Sequence, residues 1–437
     1  MLQTTRARII IPGILVVLLG GWGVFSLLET RESAHRATLT YWTHTDANRT
    51  ALEARLIEQF QRDTPGIELN RVTHGSQEIS ELILTAFAAG RGPDIFNLQI
   101  ENAHAYITSG QVVPIDPQTL GFDSIREIEE RYVPGVLDPV THNGKLYGLP
   151  LELTNWAIYL NRSVFREAGL DPDQDYPRTW REMMDVSETI AQHDGETLTR
   201  RGFDFRYSDY LIGIVPMVRQ LGGRLVSEDG TRAIVGESAW IEFLHFFQEW
   251  GPAGRNLGSP AYDHARSLFN QDTGAVAMAH TGLYQQGRIK SENPAFYDSG
   301  EWMVIPVPVF EDAVNDVSSS YYGHYLMVSV DTPPELRRPA WEFIWFLLHH
   351  AEEYLREVNI VQPTRALMES DLYRSIPYSQ VFSREMERAE VVYYDEHSSQ
   401  LQDLVQEAVE SVMFGESSPE KAYIRLRSFA QALLDES

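Results

Sequence analysis

At 437 residues the chain exceeds the length over which one hydrophobic core keeps growing, so two lobes of ordinary domain size are expected. Its 62 acidic and 36 basic residues leave a net charge of −26, which repels phosphate backbones and speaks against a nucleic-acid partner, while 43% hydrophobic residues exclude a disordered chain. The absence of cysteine excludes disulfides, thiolate metal sites, thiol nucleophiles and a lipid-modified N-terminal Cys.

The first predicted element is an uncharged, mostly apolar stretch from Ile9 to Leu28, long enough to cross a bilayer as one transmembrane helix. Arg6 and Arg8 precede it, so residues 1–37 read as a cytoplasmic stub, a membrane anchor and a spacer, with the rest facing the periplasm or cell exterior. The alternative is secretion after signal cleavage, but cutting after Ala34 or Ala37 would put Glu32 or His35 where signal peptidase needs a small residue.

Beyond it, Thr38 to Trp42 reads as a strand, and Asp46 or Asn48 as the cap of a helix with Leu52, Leu56, Ile57 and Phe60 on one face. Pro65-Gly66 stops that helix. A strand near Ile67 to Val72, a helix from about Ser76 and a strand from Ile95 to Leu98 follow at βαβ spacing, which predicts an open, largely parallel sheet with helices on both faces. Ligands of such sheets bind beyond the carboxyl ends of the strands, which directs attention to His44, Asp46, Gln99 and Glu101. Asn143-Gly144 between extended residues predicts a tight hairpin. A second α/β region starts at Trp156, with a helix start at Thr179, further helices around Ile212 to Gln220 and Trp240 to Trp250, and strands near Val276 to His280, Met303 to Val309 and Tyr325 to Val330. Helical segments over Ala340 to Leu355, Leu401 to Met413 and Pro419 to Leu434 end the chain.

Several segments, in order, resemble the extracellular solute-binding proteins that include maltose-binding and related carbohydrate-binding proteins. They are LEARLIEQFQRDTPGIELNRV from residue 52, LILTAFAAGRGPDIFNLQ from 82, GQVVPID from 110, GKLYGLPLELTNWAIYLNRSVFREAGLDP from 144, TWREM from 179, GAVAMAHTGLYQQ from 274, PAWEFIWFLL from 339 and QPTR from 362. The resemblance implies an α/β, two-lobed periplasmic-binding-protein clamp, each lobe a sheet flanked by helices. It places residues 38–150 with about 326–372 in lobe 1 and 151–325 with about 373–437 in lobe 2. It further implies a monomer that captures a sugar or oligosaccharide and delivers it to ABC permease transmembrane subunits, without catalysis, cofactor or metal.

A sugar presents hydroxyls in its ring plane and apolar patches on its faces, so its site needs planar hydrogen-bonding groups and a stacking aromatic. Tyr284 falls where the family places such an aromatic, though a core role would also account for it. His280, by contrast, is equally well read as a helix-start hydrogen bond. Glu152 and Asn155 sit just past the first crossing between lobes, Tyr322 and His324 flank Gly323 at the second, and Arg365 in QPTR resembles a position that reaches the cleft. Because these loops offer aromatics, carboxylates and amides with few cations, a neutral saccharide is expected, with a polyol as the near alternative. Ferric iron held by Tyr321-Tyr322 or Tyr393-Tyr394, and a membrane-tethered solute sensor or scaffold, are the other readings. Motifs for metalloprotease, P-loop, hydrolase-elbow or dinucleotide chemistry are missing from the sequence.

Overall fold

A computed structural model describes residues 36–75, 78–262, 265–390 and 397–436. The Ile9 to Leu28 stretch and Tyr393-Tyr394 lie outside the described residues. Among the described residues no helix is long and apolar enough to cross a membrane.

The strands are β1 (Ala37–His44), β2 (Ile67–His74), β3 (Ile95–Gln99), β4 (Thr141–His142), β5 (Lys145–Leu146), β6 (Leu149–Thr154) and β7 (Trp156–Asn161). They continue as β8 (Gln192–Asp194), β9 (Thr197–Asp204), β10 (Arg224–Val226), β11 (Ala233–Val235), β12 (Val276–Gly282), β13 (Trp302–Ile305) and β14 (Tyr322–Val328). Two five-stranded sheets organise the molecule, one in the order β2-β1-β3-β14-β6 and the other β13-β7-β12-β9-β8. The fold is therefore α/β with two lobes.

Local chemistry accounts for the elements. Asp46 accepts hydrogen bonds from the Asn48 and Arg49 backbone N–H groups and so starts helix Ala47–Asp63, whose stripe Leu52, Leu56, Ile57 and Phe60 is buried. All five residues of β3 are buried, as expected for a strand covered on both faces. Asn143 and Gly144 both have positive φ, at 49° and 70°, which gives the β4–β5 hairpin the backbone of a type I′ turn. Thr179 and Glu182 form a reciprocal capping box at the start of helix Trp180–Ile190.

Three expectations shift in detail. β1 pairs in parallel with β2 and β3, but β14 runs antiparallel between β3 and β6, so the first sheet is mixed. The strand bearing Glu152 stays in this first sheet to Thr154, and Trp156 opens the second, so the chain passes between the sheets at Asn155 rather than at 150/151. The expected helix over Ala340 to Leu355 is two helices, Pro334–His349 and Ala351–Val358, parted at His350.

The mixed topology positions the site. Because β14 is antiparallel to β3, its first residues lie at the carboxyl ends of β1 and β3: His324 pairs with Gln99 on one side and with Glu152 on the other. On the second sheet, β12 pairs with β7 so that Gly282 opposes Trp156. A Cβ at Gly282 would meet the Tyr284 ring at 2.6 Å and Thr154 at 3.0 Å, so only glycine allows the two lobes to approach there.

Candidate functional site: a cleft between two lobes

The first-lobe floor is His44, Glu152 and His324. His324 Nδ1 donates to Glu152 Oε1 at 2.8 Å, and the His44 and His324 rings stack at 4.0 Å. Asn97 Oδ1 accepts the His44 backbone N–H at 3.1 Å, which turns the Asn97 amide NH2 toward His44 Nδ1 at 2.8 Å. His44 Nδ1 is then the acceptor and its Nε2 carries the proton. Burial, followed by His324, Arg49 and Arg288, holds His44 well below the usual imidazole range, so it stays neutral. Burial alone would raise the Glu152 carboxyl, but the His324 hydrogen bond and charge and Arg49 outweigh it and keep Glu152 ionised. The buried His324 Nε2 has no hydrogen-bond partner among the described residues.

Ligand atoms of His44, Glu152 and His324 lie within 4.8 Å of one another, close enough to suggest a divalent cation. The Asn97 contact argues against it, since a metal-bound Nε2 must be free of its proton, whereas here Nδ1 takes the acceptor role. A protonated His44 Nε2, an unpartnered His324 ring nitrogen and a carboxylate together suit a hydroxyl-rich solute.

The second lobe supplies Trp156 and Tyr284, which pack on Tyr322 of the first sheet. Trp156, Tyr284 and Tyr322 cluster, with ring centroids 5.4 Å apart for Trp156–Tyr322 and 5.9 Å for Tyr284–Tyr322. Arg206 lies 4.6 Å from the Trp156 ring centroid and 5.1 Å from that of Tyr322, bonds Asp209 Oδ2 at 2.8 Å and donates to the Tyr284 hydroxyl. Arg288 lies over the Tyr284 ring at 4.7 Å and reaches across to Asp46 Oδ2 at 2.9 Å. That ion pair joins the lobes. At the mouth, a cavity of about 270 Å³ is lined by Thr45, Asp46 and Asn48 from one lobe and Arg266, Gln285 and Arg288 from the other.

Of the sequence candidates, His44, Asp46, Glu101, Glu152, Tyr284, Tyr322 and His324 are thus brought together, Glu101 beside Asp209 and Arg206. Gln99 is buried at the start of helix Ile100–Thr108 and makes no cap bond. Asn155 holds the Phe382 carbonyl at 3.0 Å, a contact at the passage between sheets. His280 lies inside β12 with its ring edge-on to Trp156 at 5.1 Å; burial, followed by Arg206, pushes it down to about 3, so it supports the aromatic from beneath and starts no helix. Arg365 departs from expectation. Its Nε donates to the Glu130 carbonyl, and it borders a separate depression with Trp345 and His349, because Thr364 caps a short helix that directs it there.

Burial pushes the Tyr321 and Tyr322 phenols up, which disfavours the phenolates that ferric iron requires. The expectation of few cations also needs correction. Arg206, Arg266 and Arg288 all enter the cleft region, and of these only Arg206 lies just past the carboxyl end of a strand, β9. Their visible signal was the choice of Arg at the end of β9 and beside the Tyr284 segment, which alone does not distinguish a cleft from a surface.

Glu101 yields a pH prediction. Burial pushes its carboxyl up to about 8; its own backbone N–H and Arg206 oppose the rise, and Asp209 reinforces it. The folded protein therefore holds this proton between the ordinary carboxyl value of 4.5 and about 8, while the unfolded chain releases it. Its contribution to stability is present below pH 4.5 and is lost as pH rises toward 8, at up to about 1.4 kcal/mol per pH unit. Urea unfolding at several pH values should show Glu101→Gln losing less stability than the unsubstituted protein over this window. Parallel curves would contradict the assignment.

Residues 44–353 match the model of the bacterial extracellular solute-binding proteins, and the chain belongs to that family. An arabinooligosaccharide-binding protein of Halalkalibacterium halodurans is 22% identical over 63% of this chain and 59% of its own length. A sn-glycerol-3-phosphate-binding periplasmic protein of Yersinia pseudotuberculosis is 22% identical over 86% of this chain and 89% of its own. A solved ABC-transporter solute-binding protein of Thermotoga lettingae, bound with alpha-D-tagatose, superposes with a TM-score of 0.78 at 20% identity, covering 91% of this chain and 99% of that one.

Proposed function

We propose that the protein captures a sugar or oligosaccharide outside the cytoplasm by closing its two lobes and delivers it to an ABC-type importer. The observation that carries this reading is the set of side chains gathered where the lobes meet: hydroxyl-matching groups at His44, Glu152 and His324 of the first lobe, with the Tyr322 ring beside His324 and the Trp156 and Tyr284 rings of the second lobe packed on Tyr322. A solute touching both walls favours the closed state, whereas one touching a single wall has no preference. The relative named for arabinooligosaccharide and the neighbour holding tagatose support a saccharide. Family membership supports delivery to a permease and the absence of catalysis. Attachment through Ile9 to Leu28 rests on that sequence alone.

A thermal-shift panel of saccharides, polyols, amino acids and ferric iron tests the reading. A cognate solute at 100 times its dissociation constant contributes about 2.7 kcal/mol. A saturable rise in melting temperature is expected with a saccharide. A rise confined to amino acids or iron would refute the saccharide reading.

A further inference from the structure

We propose that the captured solute carries an anionic group, a phosphate ester or a carboxylate, held at the cleft mouth by Arg266 with Arg206 and Arg288 beside it. This rests on the cleft being the capture site. Arg266 sits on helix Ala265–Asn270 and lines the cavity of about 270 Å³ opposite Thr45, Asp46 and Asn48. Its Nη1 is buried and has no hydrogen-bond partner among the described residues. The nearby cations are already matched: Arg206 bonds Asp209 at 2.8 Å, Arg288 bonds Asp46 at 2.9 Å, and Arg201 bonds Asp204 at 2.6 Å. Glu292, the other acid lining this cavity, accepts from Asn270 at 2.9 Å. Among the described residues, Arg266 therefore remains without a bonded acid of its own. The positive field of Arg206, then burial, with Arg288 adding, pulls its guanidinium down to about 10 against a weaker upward pull from Tyr284 and Tyr322, the expected direction for a cation set among like charges.

Taking a guanidinium out of water beside two others is unfavourable unless something compensates. An anion from solution supplies that compensation, and the guanidinium fork matches both carboxylate and phosphate through two parallel N–H bonds. The chain carries −26 overall, so a local excess of cations is what lets an anionic solute approach and stay. The sugar's hydroxyls would then meet His44, Glu152 and His324 while its charged end meets Arg266.

The test compares the whole protein with Arg266→Gln at constant ionic strength, reading melting temperature against concentration. The probes are inorganic phosphate, sn-glycerol 3-phosphate with glycerol, and galacturonate with galactose. Phosphate should raise the melting temperature saturably in the unsubstituted protein and not in the variant. One charged probe should act at concentrations at least tenfold below its neutral parent, and whether it is glycerol phosphate or galacturonate assigns the group as phosphate ester or carboxylate. Arg266→Gln should abolish that preference and leave the unliganded melting temperature unchanged or higher, since like-charge repulsion is relieved. No response to phosphate, or a response that survives the substitution, would overturn the proposal, as would an unliganded variant that melts much earlier. If neutral saccharides bind while phosphate does not, only the anionic group is refuted. Should phosphate bind while no saccharide does, the anion site stands and the saccharide reading falls.

Discussion

Replacing Glu53 by Ala is expected to lower the unfolding free energy by about 3–5 kcal/mol, the largest single loss anticipated outside the apolar cores. Glu53 is fully buried in the first lobe, with Arg49 Nη1 at 3.5 Å and Arg71 Nε at 2.9 Å, and it accepts from the Tyr354 hydroxyl at 3.2 Å. Arg49 is itself fully buried and also holds Thr43 Oγ1 at 2.9 Å and the His44 carbonyl at 2.6 Å. Removing the carboxylate takes the largest counter-charge from that buried guanidinium, and the hydrogen bond to His44 couples the loss to the site. Urea unfolding should show a lower midpoint at an unchanged slope. A loss under about 1 kcal/mol would mean that Arg49 is compensated by Glu152, the other carboxylate acting on it.

Tyr284→Ala should weaken saccharide binding roughly ten- to hundredfold, or about 1–3 kcal/mol, through the apolar area the ring presents to the ligand. In the closed arrangement Tyr284 is buried between Tyr322 and Arg288, and its hydroxyl accepts from Arg206. Two of those three contacts, with Arg288 and Arg206, come from its own lobe, whereas Tyr322 begins a strand of the first sheet. Opening the lobes removes the latter, which is the ground for expecting a cleft role for the ring although it is buried with the first hydrophobic cluster here. A core aromatic behaves differently, since truncating one costs about 3–5 kcal/mol with or without ligand. Affinity and unliganded stability measured together separate the roles: a large fall in unliganded stability would assign Tyr284 to the core.

The parts of the fold that sequence makes legible are those where one local signal dominates. Asp46 before a helical stripe gave the start of Ala47–Asp63, and Asn143-Gly144 gave its hairpin, because caps and primed turns act over a few residues. Less local features escaped. The antiparallel insertion of β14 depends on residues more than two hundred positions apart, and the break at His350 falls inside an unbroken apolar pattern. The same division holds at the site. His44 and Glu101 follow from the strand-end rule, as does Asp46, whereas Arg206 and Arg288 reach the cleft only through packing of the second lobe against the first. Asn97 was hidden within an all-buried strand, yet it sets the His44 tautomer.

The central claim is that one solute engages both lobes and holds them shut. The Asp46–Arg288 pair at 2.9 Å marks the closed arrangement, and helix Ile100–Thr108 of the first lobe then packs on helix Ser398–Met413 of the second. Small-angle scattering of the protein, with and without the saccharide that most raises its melting temperature, measures this most directly. A smaller radius of gyration at saturating saccharide is predicted, because opening of the free protein separates these contacts and bound solute restores them. An identical radius in both states, with binding established separately, would contradict the account.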